Sequence, residues 1–262
     1  MAIRFRNKYV KYLCLCLLSI ILLSACNGNP LPESGLVNFE AEDGRTVYAD
    51  LYRTENKKAA YIILFHQGGS SRGEYLEIAP RLNEMGFNCL AVDQRAGHKM
   101  NGVYNMTVES GYAGPDQVMP DLRAALLYVK EELRAKKIIV WGSSYSSVLA
   151  LVLASEFPQD VSAVLAFSPS KSADYFEWED KKITYYVPNI QCPVFIASSS
   201  FRKDQAKSIY DMVPVDDKVY CDISVPGSSA LWSNNADSEL YWEQVAKFLE
   251  SFNVRGEALR KN

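Results

Sequence analysis

The sequence predicts an α/β fold, a doubly wound and mostly parallel sheet with helices on both faces and a β-hairpin at its N-terminal end. Three observations carry that expectation. Apolar runs of strand length alternate with amphipathic stretches of helix length along most of the chain, the pattern of parallel strands joined by covered crossovers. The segment "AAYIILFHQGG" is apolar without alternation until it meets two glycines, as a strand covered on both faces must be. The segment "KIIVWGSSYSSVLALVLASEFP", residues 137–158, passes from a β-branched strand directly into the most apolar helical stretch of the chain.

Taken in order, "LVNFEAEDGRTVYADLYRT" alternates apolar and polar residues around Asp43-Gly44, which predicts the hairpin and its tight turn. "AAYIILF" is the first parallel strand, "EYLEIAPRLNEMG" an amphipathic helix closed by Gly86, and "FNCLAVD" the next strand. "GPDQVMPDLRAALLYVKEEL" places Leu122, Leu126, Val129 and Leu133 on one helical face. "KIIVW", "VSAVLAFSP", "CPVFIASS" and "KVYCDISV" complete the strands, and "DSELYWEQVAKFLESF" is a terminal amphipathic helix. No internal repeat or low-complexity tract interrupts the series, so a single domain is expected over residues 36–253, followed by a tail at 254–262.

The first 26 residues belong to a different physical class. Arg4, Arg6, Lys8 and Lys11 precede the apolar run "YLCLCLLSIILLSAC", the anatomy of a secretory signal. Leu23-Ser24-Ala25-Cys26 resembles the bacterial lipobox, which implies cleavage before Cys26, lipid on its thiol, and a tether over residues 27–35. The expected location is the bacterial cell envelope, held to a membrane by that lipid. Asn27 rather than Asp after the cysteine resembles lipoproteins exported to the outer membrane.

Composition narrows the function classes. The 262 residues carry a formal net charge of -3, with no lysine or arginine cluster beyond the N-terminal segment, so a nucleic-acid surface is not expected. Of the six cysteines, Cys89, Cys192 and Cys221 remain beyond residue 26, each in or beside an apolar run where a thiol acts as a small hydrophobe. Their odd number offers no disulfide framework, and the absence of any C-x-x-C or H-x-x-x-H spacing predicts no metal. No cofactor is expected.

Chemistry is concentrated at Gly142-Ser143-Ser144-Tyr145-Ser146. At a strand-to-helix turn the central residue is held in strained dihedrals, and residues two before and two after it must be small for strand and helix to close. Gly142 and Ser146 meet that need, although Ser146 adds a hydroxymethyl where glycine is usual. The plainer interpretation is a polar helix start with Ser143 or Ser144 as N-cap.

With "FHQGGSSRGEY", "CLAVDQRAG" and the strand order, this turn resembles the nucleophile elbow of the α/β-hydrolase superfamily, close to its small esterase and dienelactone-hydrolase-like members. The resemblance spans nearly the whole chain beyond the signal. It implies Ser144 as nucleophile and the backbone N–H groups of Gln67 and Tyr145 as an oxyanion hole. His66 and Gly68 would support the oxyanion loop. Asp204, a few residues beyond "PVFIASS", matches the place of the triad acid; a solvated loop aspartate is the alternative. Glu177, Glu179 and Asp180 are weaker candidates within "DYFEWEDKKITYY", an aromatic insertion expected to lie over the site as a lid or wall.

The histidine of the triad is missing from its place. The family's His-Gly-Ser-like corner before the last helix corresponds to Pro226-Gly227-Ser228, and proline has nothing to titrate. The chain has two histidines, His66 in the oxyanion loop and His98 in "DQRAGHKMNGVYN" at the ligand-binding edge of the sheet. His98 is the substitute base to consider first. Two readings follow: a serine ester or acyl hydrolase of weak or unusual activity, or a non-catalytic relative binding a small ligand or protein partner. Tyr145, Tyr175, Phe176, Trp178 and Trp232 are candidates to line an apolar pocket, or equally to pack the core and lid.

Overall fold

Asp43-Gly44 turns the chain as its composition predicts, with Gly44 at φ +80°, a region closed to most side chains. The turn joins strands β1 (Gly35–Glu40) and β2 (Thr46–Tyr52) in an antiparallel pair, Phe39 facing Val47 and Val37 facing Ala49. This computed structural model describes residues 31–56, 58–108, 113–170 and 183–253. The fold belongs to the unit Glu33–Asn262, which clusters separately from Met1–Pro32. Outside the described residues lie the segment expected to be a signal, with Cys26, the insertion bearing Tyr175, Phe176, Glu177, Trp178, Glu179 and Asp180, and the tail expected at 254–262.

Strands β3 (Tyr61–Phe65), β4 (Asn88–Asp93), β7 (Ile138–Ser143), β8 (Val161–Phe167), β9 (Val194–Ser199) and β10 (Lys218–Ile223) run parallel. The hairpin joins them through β2, antiparallel to β4. The eight-stranded order is β1-β2-β4-β3-β7-β8-β9-β10. Chain order reverses at β3, which lies between β4 and β7 with Phe65 beside Gly142. A crevice for ligands forms at such a switch point, outside the carboxyl ends of the strands.

The continuous apolar runs arise because both sheet faces are buried. Along β3, Ile63 and Phe65 enter one core, with Val140 and Val164, against helices α2 (Pro115–Leu127) and α3 (Tyr145–Glu156). Ile62 and Leu64 enter the other, with Ile139 and Trp141, against α1 (Ile78–Glu84) and α6 (Ser238–Leu249). The single turn α4 (Ile183–Tyr186) and helix α5 (Lys203–Met212) complete the α2/α3 side, through Ile183 and Ile209. Helix α3 is buried almost all round, which explains why its sequence is uniformly apolar rather than amphipathic. Cys89, Cys192 and Cys221 are buried free thiols.

Three details differ from the sequence expectation. The stretch after β9 folds as α5 rather than as a loop. The helix expected through residue 133 leaves regular α geometry after Leu127 and continues as a π turn over Tyr128–Glu132. A two-residue ribbon, β5 (Lys99–Met100) with β6 (Val103–Tyr104), forms where no strand signal exists, because elements this short carry no periodicity.

Candidate active site

The elbow is strained as the sequence anticipates. Ser144 sits at φ 49°, ψ -109°, between β7 and α3, a conformation that costs on the order of 1–3 kcal/mol in a non-glycine residue. Packing enforces it. A Cβ on Gly142 would lie 2.1 Å from the Ser146 carbonyl oxygen, so strand and helix close only over glycine. The Ser144 amide donates to Phe167 O at 2.7 Å, tying the turn to β8. Ser146 does not crowd the elbow. Its hydroxyl donates to His66 O at 2.5 Å and accepts from Gln94 Nε2, stitching α3 to the ends of β3 and β4.

The oxyanion loop is arranged differently from the expectation. The Gln67 amide donates to Glu74 Oε2 at 2.8 Å, so it is already committed and not free to hold an oxyanion. Two further backbone groups of the loop are also engaged. Gln67 O accepts from His66 Nδ1 at 2.7 Å and from Ser70 N at 3.2 Å, and Gly69 N donates to Ala96 O at 2.9 Å. Gly68 N–H takes no hydrogen bond among the described residues. A Cβ at Gly68 would stand 3.5 Å from Tyr145 Cβ, so this backbone lies directly against the first residue of α3. Tyr145 N–H belongs to that helix's first turn, where amides point out of the N-terminus. The Gly68 and Tyr145 backbones thus lie side by side at the turn that bears Ser144.

Glu74 is the site residue that sequence reasoning missed. It is fully buried in the short 3₁₀ turn Arg72–Tyr75. Burial pushes its carboxyl up to about 7, with the Ser143 hydroxyl, the Gln67 amide and the Ser70 hydroxyl acting in the opposite sense. Its Oε1 carries no hydrogen bond of good geometry. An acidic residue that ends a glycine- and serine-rich loop and starts a helical stretch reads as an ordinary first-turn carboxylate, and only its complete burial in the fold shows otherwise. Trp232 Nε1 donates to the Glu74 backbone carbonyl at 3.0 Å, which ties the corner after β10 to this turn.

Neither histidine hydrogen-bonds Ser144 among the described residues. His66 is buried, and Asn105 Nδ2 donates to its Nε2 at 3.2 Å, which assigns the proton to Nδ1 and directs it to Gln67 O. Burial lowers its basicity, so the ring is a neutral brace for the loop. His98 is exposed just before β5, edge-on to Tyr104 with centroids 6.3 Å apart, and no hydrogen bond joins it to Ser144 among the described residues. Asp204 is exposed in the first turn of α5, where a carboxylate complements the helix dipole. No imidazole bonds to it among the described residues.

The corner where the superfamily keeps its imidazole does abut the elbow. A Cβ on Gly227 would lie 2.8 Å from Ser143 Oγ and 3.9 Å from Ser144 Cβ. Ser228 N donates to Ser143 Oγ, Gly227 N to Ser168 Oγ, and Trp141 Nε1 to Ser228 Oγ, all at 2.8–2.9 Å. Pro226 is exposed on the rim of this corner.

A mostly parallel sheet of eight strands with helices on both faces, a strained serine at the β7–α3 turn and a braced loop after β3 define the α/β-hydrolase class. The family model described as serine aminopeptidase, S33, matches residues 56–214, more than half of the chain, and the chain belongs to that hydrolase family. Among solved structures, an esterase from Pyrococcus furiosus, Pf2001, is 19% identical, with 86% of this chain and 96% of that one covered and a TM-score of 0.67. A dienelactone hydrolase from Anabaena variabilis is 13% identical over 86% and 100% of the two chains, TM-score 0.65. An enol-lactonase from Burkholderia xenovorans is 14% identical over 81% and 99%, TM-score 0.61. No curated protein matches the chain in sequence.

Proposed function

We propose that this hydrolase acts on a small ester or acyl compound through Ser144, weakly or in an unusual way because no imidazole serves the serine, and that it does so lipid-anchored through Cys26 in a bacterial cell envelope. The observation that carries the reading is the elbow itself: Ser144 is held at φ 49° beside Gly68 and Tyr145. A strained turn of this kind costs stability and such turns cluster at functional sites, which supports a working role for the serine it presents. The structural neighbours named as esterase, dienelactone hydrolase and enol-lactonase act, by those names, on esters or lactones, which supports a carbonyl substrate.

In this mechanism Ser144 Oγ attacks the carbonyl carbon, and the Gly68 and Tyr145 amides receive the developing oxyanion. Pre-aimed donors of that kind contribute about 3 kcal/mol each. The serine proton passes to solvent or to the leaving group instead of to an imidazole. Binding and the oxyanion hole alone sustain rates roughly 10³–10⁴-fold above water in hydrolases stripped of triad members, which sets the scale for activated esters.

A second reading, a pseudohydrolase that binds a ligand or protein partner without turnover, is favoured by the Pro226-Gly227 corner, which holds no titratable group. One experiment separates them. The full chain in detergent is treated with a fluorophosphonate and weighed intact, beside Ser144→Ala. A single adduct that disappears in the variant supports the hydrolase. A folded native chain that stays unmodified, and becomes reactive with Pro226→His, supports the pseudohydrolase.

A further inference from the structure

A buried carboxylate inside an oxyanion loop needs a reason, since an isolated charge in such a place is costly. Glu74 is anchored from several sides. Its turn is fixed to the end of β4, where Arg72 N and Arg72 Nη1 bond the buried Asp93 at 2.7 and 2.5 Å. Tyr75 OH donates to Phe65 O at 2.7 Å, and Ser71 Oγ caps Gly73 N at 3.1 Å. A Cβ on Gly73 would meet Met100 O at 2.2 Å, so the β5–β6 ribbon presses the turn against the loop. The carboxylate cannot swing away, and one of its oxygens ends on the Gln67 amide.

We infer that Glu74 is a positioning residue of the oxyanion loop: its carboxylate withholds the Gln67 amide from the reacting oxygen and selects Gly68 as the loop's donor. This rests on the reading of Ser144 as nucleophile for its catalytic consequence only. The peptide plane between Gln67 and Gly68 is pinned at the Gln67 carbonyl by His66 Nδ1 and Ser70 N, so fixing the Gln67 amide determines where Gly68 N–H points. Ser143 Oγ, at the end of β7, accepts Ser228 N–H at 2.9 Å, so the elbow strand is itself tied to the Gly227–Ser228 corner.

The charge state of that group governs the strength of the clamp. The ionisable neighbours are few. Tyr75, on the same turn, has its hydroxyl held well above its ordinary range by burial. His66, at the end of β3, is kept neutral by burial, and Arg72 is paired with Asp50 and Asp93. Ser70, Ser143 and Trp232 carry no charge. Above the carboxyl's titration, charge-assisted bonding holds the Gln67 amide hardest.

The test uses the full chain in detergent, labelled with ¹⁵N-glutamine, beside Glu74→Gln and Glu74→Leu. The Gln67 amide resonance is expected to shift across neutral pH in the native chain and to lose that shift in Glu74→Gln. Fluorophosphonate labelling of Ser144 is expected to fall about 100-fold in Glu74→Leu, the size of one lost oxyanion donor. Glu74→Gln, which keeps an oxygen for the Gln67 amide, restores the rate but removes the inflection near neutrality from its pH profile. A Gln67 amide insensitive to pH, or equal labelling in all three proteins, overturns the inference. Should Glu74→Leu fail to fold, the native titration and the glutamine variant decide it. Should the native chain take no label, the nucleophile reading falls, and the amide titration alone decides Glu74.

Discussion

The two ends of the site have been held to different standards. At the β7–α3 elbow every constraint is in place: glycine where a Cβ would strike backbone at 2.1 Å, a serine at φ 49°, and a hydroxyl at position 146 that ties helix to strand. At the corner after β10 the backbone is equally well seated, with three hydrogen bonds beneath it, yet the exposed position 226 is proline. The difference shows what packing can and cannot preserve. Elbow geometry is enforced by close backbone packing, so changes there cost stability. A side chain on an exposed rim contributes nothing to either core, so the fold places no demand on the residue at position 226.

The comparison can be broken at its rigid end first. Gly142→Ala drives a methyl into the Ser146 carbonyl and should cost about 3 kcal/mol, the upper end for overpacking; the shift of the urea midpoint measures it. A native-like midpoint would show that the elbow is not locked by the core.

Glu74→Gln is next, and its sign depends on pH. The native carboxyl releases its proton at about 7, against 4.5 for an ordinary glutamate. The native state thus holds a proton that the unfolded chain has lost, and ionisation is disfavoured by folding. The resulting penalty grows as pH rises from 4.5 through 7 and is complete above. Glu74→Gln should therefore be the more stable protein above pH 7, by on the order of 3 kcal/mol, and the gap should close as pH falls toward 4.5. Denaturation at both ends of the window checks it, and a gap independent of pH would show that the carboxyl is not desolvated as described.

The exposed corner is sharpened by Pro226→His. Imidazole on the rim beside Ser144 should raise fluorophosphonate labelling by about 100-fold, the lower end of general-base catalysis, with an inflection near the ordinary histidine range. No change would mean that position 226 does not point at the serine. The smallest effect is expected from Ser144→Gly, which relieves the positive φ. It should add about 1 kcal/mol to stability while abolishing any adduct. A loss of stability would show that Ser144 is not strained.

How far residue order reached is visible element by element. The alternation of apolar runs, Asp43-Gly44, Gly86 and the G-x-S-x-S turn made the sheet, the hairpin and the elbow legible, because each is dictated by local periodicity or by a backbone shape few residues tolerate. That the chain holds only two histidines, with proline at position 226, is read directly from the sequence. Donor assignment within the oxyanion loop was not legible. The Gln67 amide is bonded to Glu74, whose turn is itself fixed to Asp93 at the end of β4, and residues brought together from separate segments leave no local signal. The same holds for His98, whose exposure is set by a ribbon too short to carry a pattern. Local chemistry determined which groups this protein possesses. Burial and long-range hydrogen bonds, which exist only once the chain has closed on itself, decided which of them face Ser144.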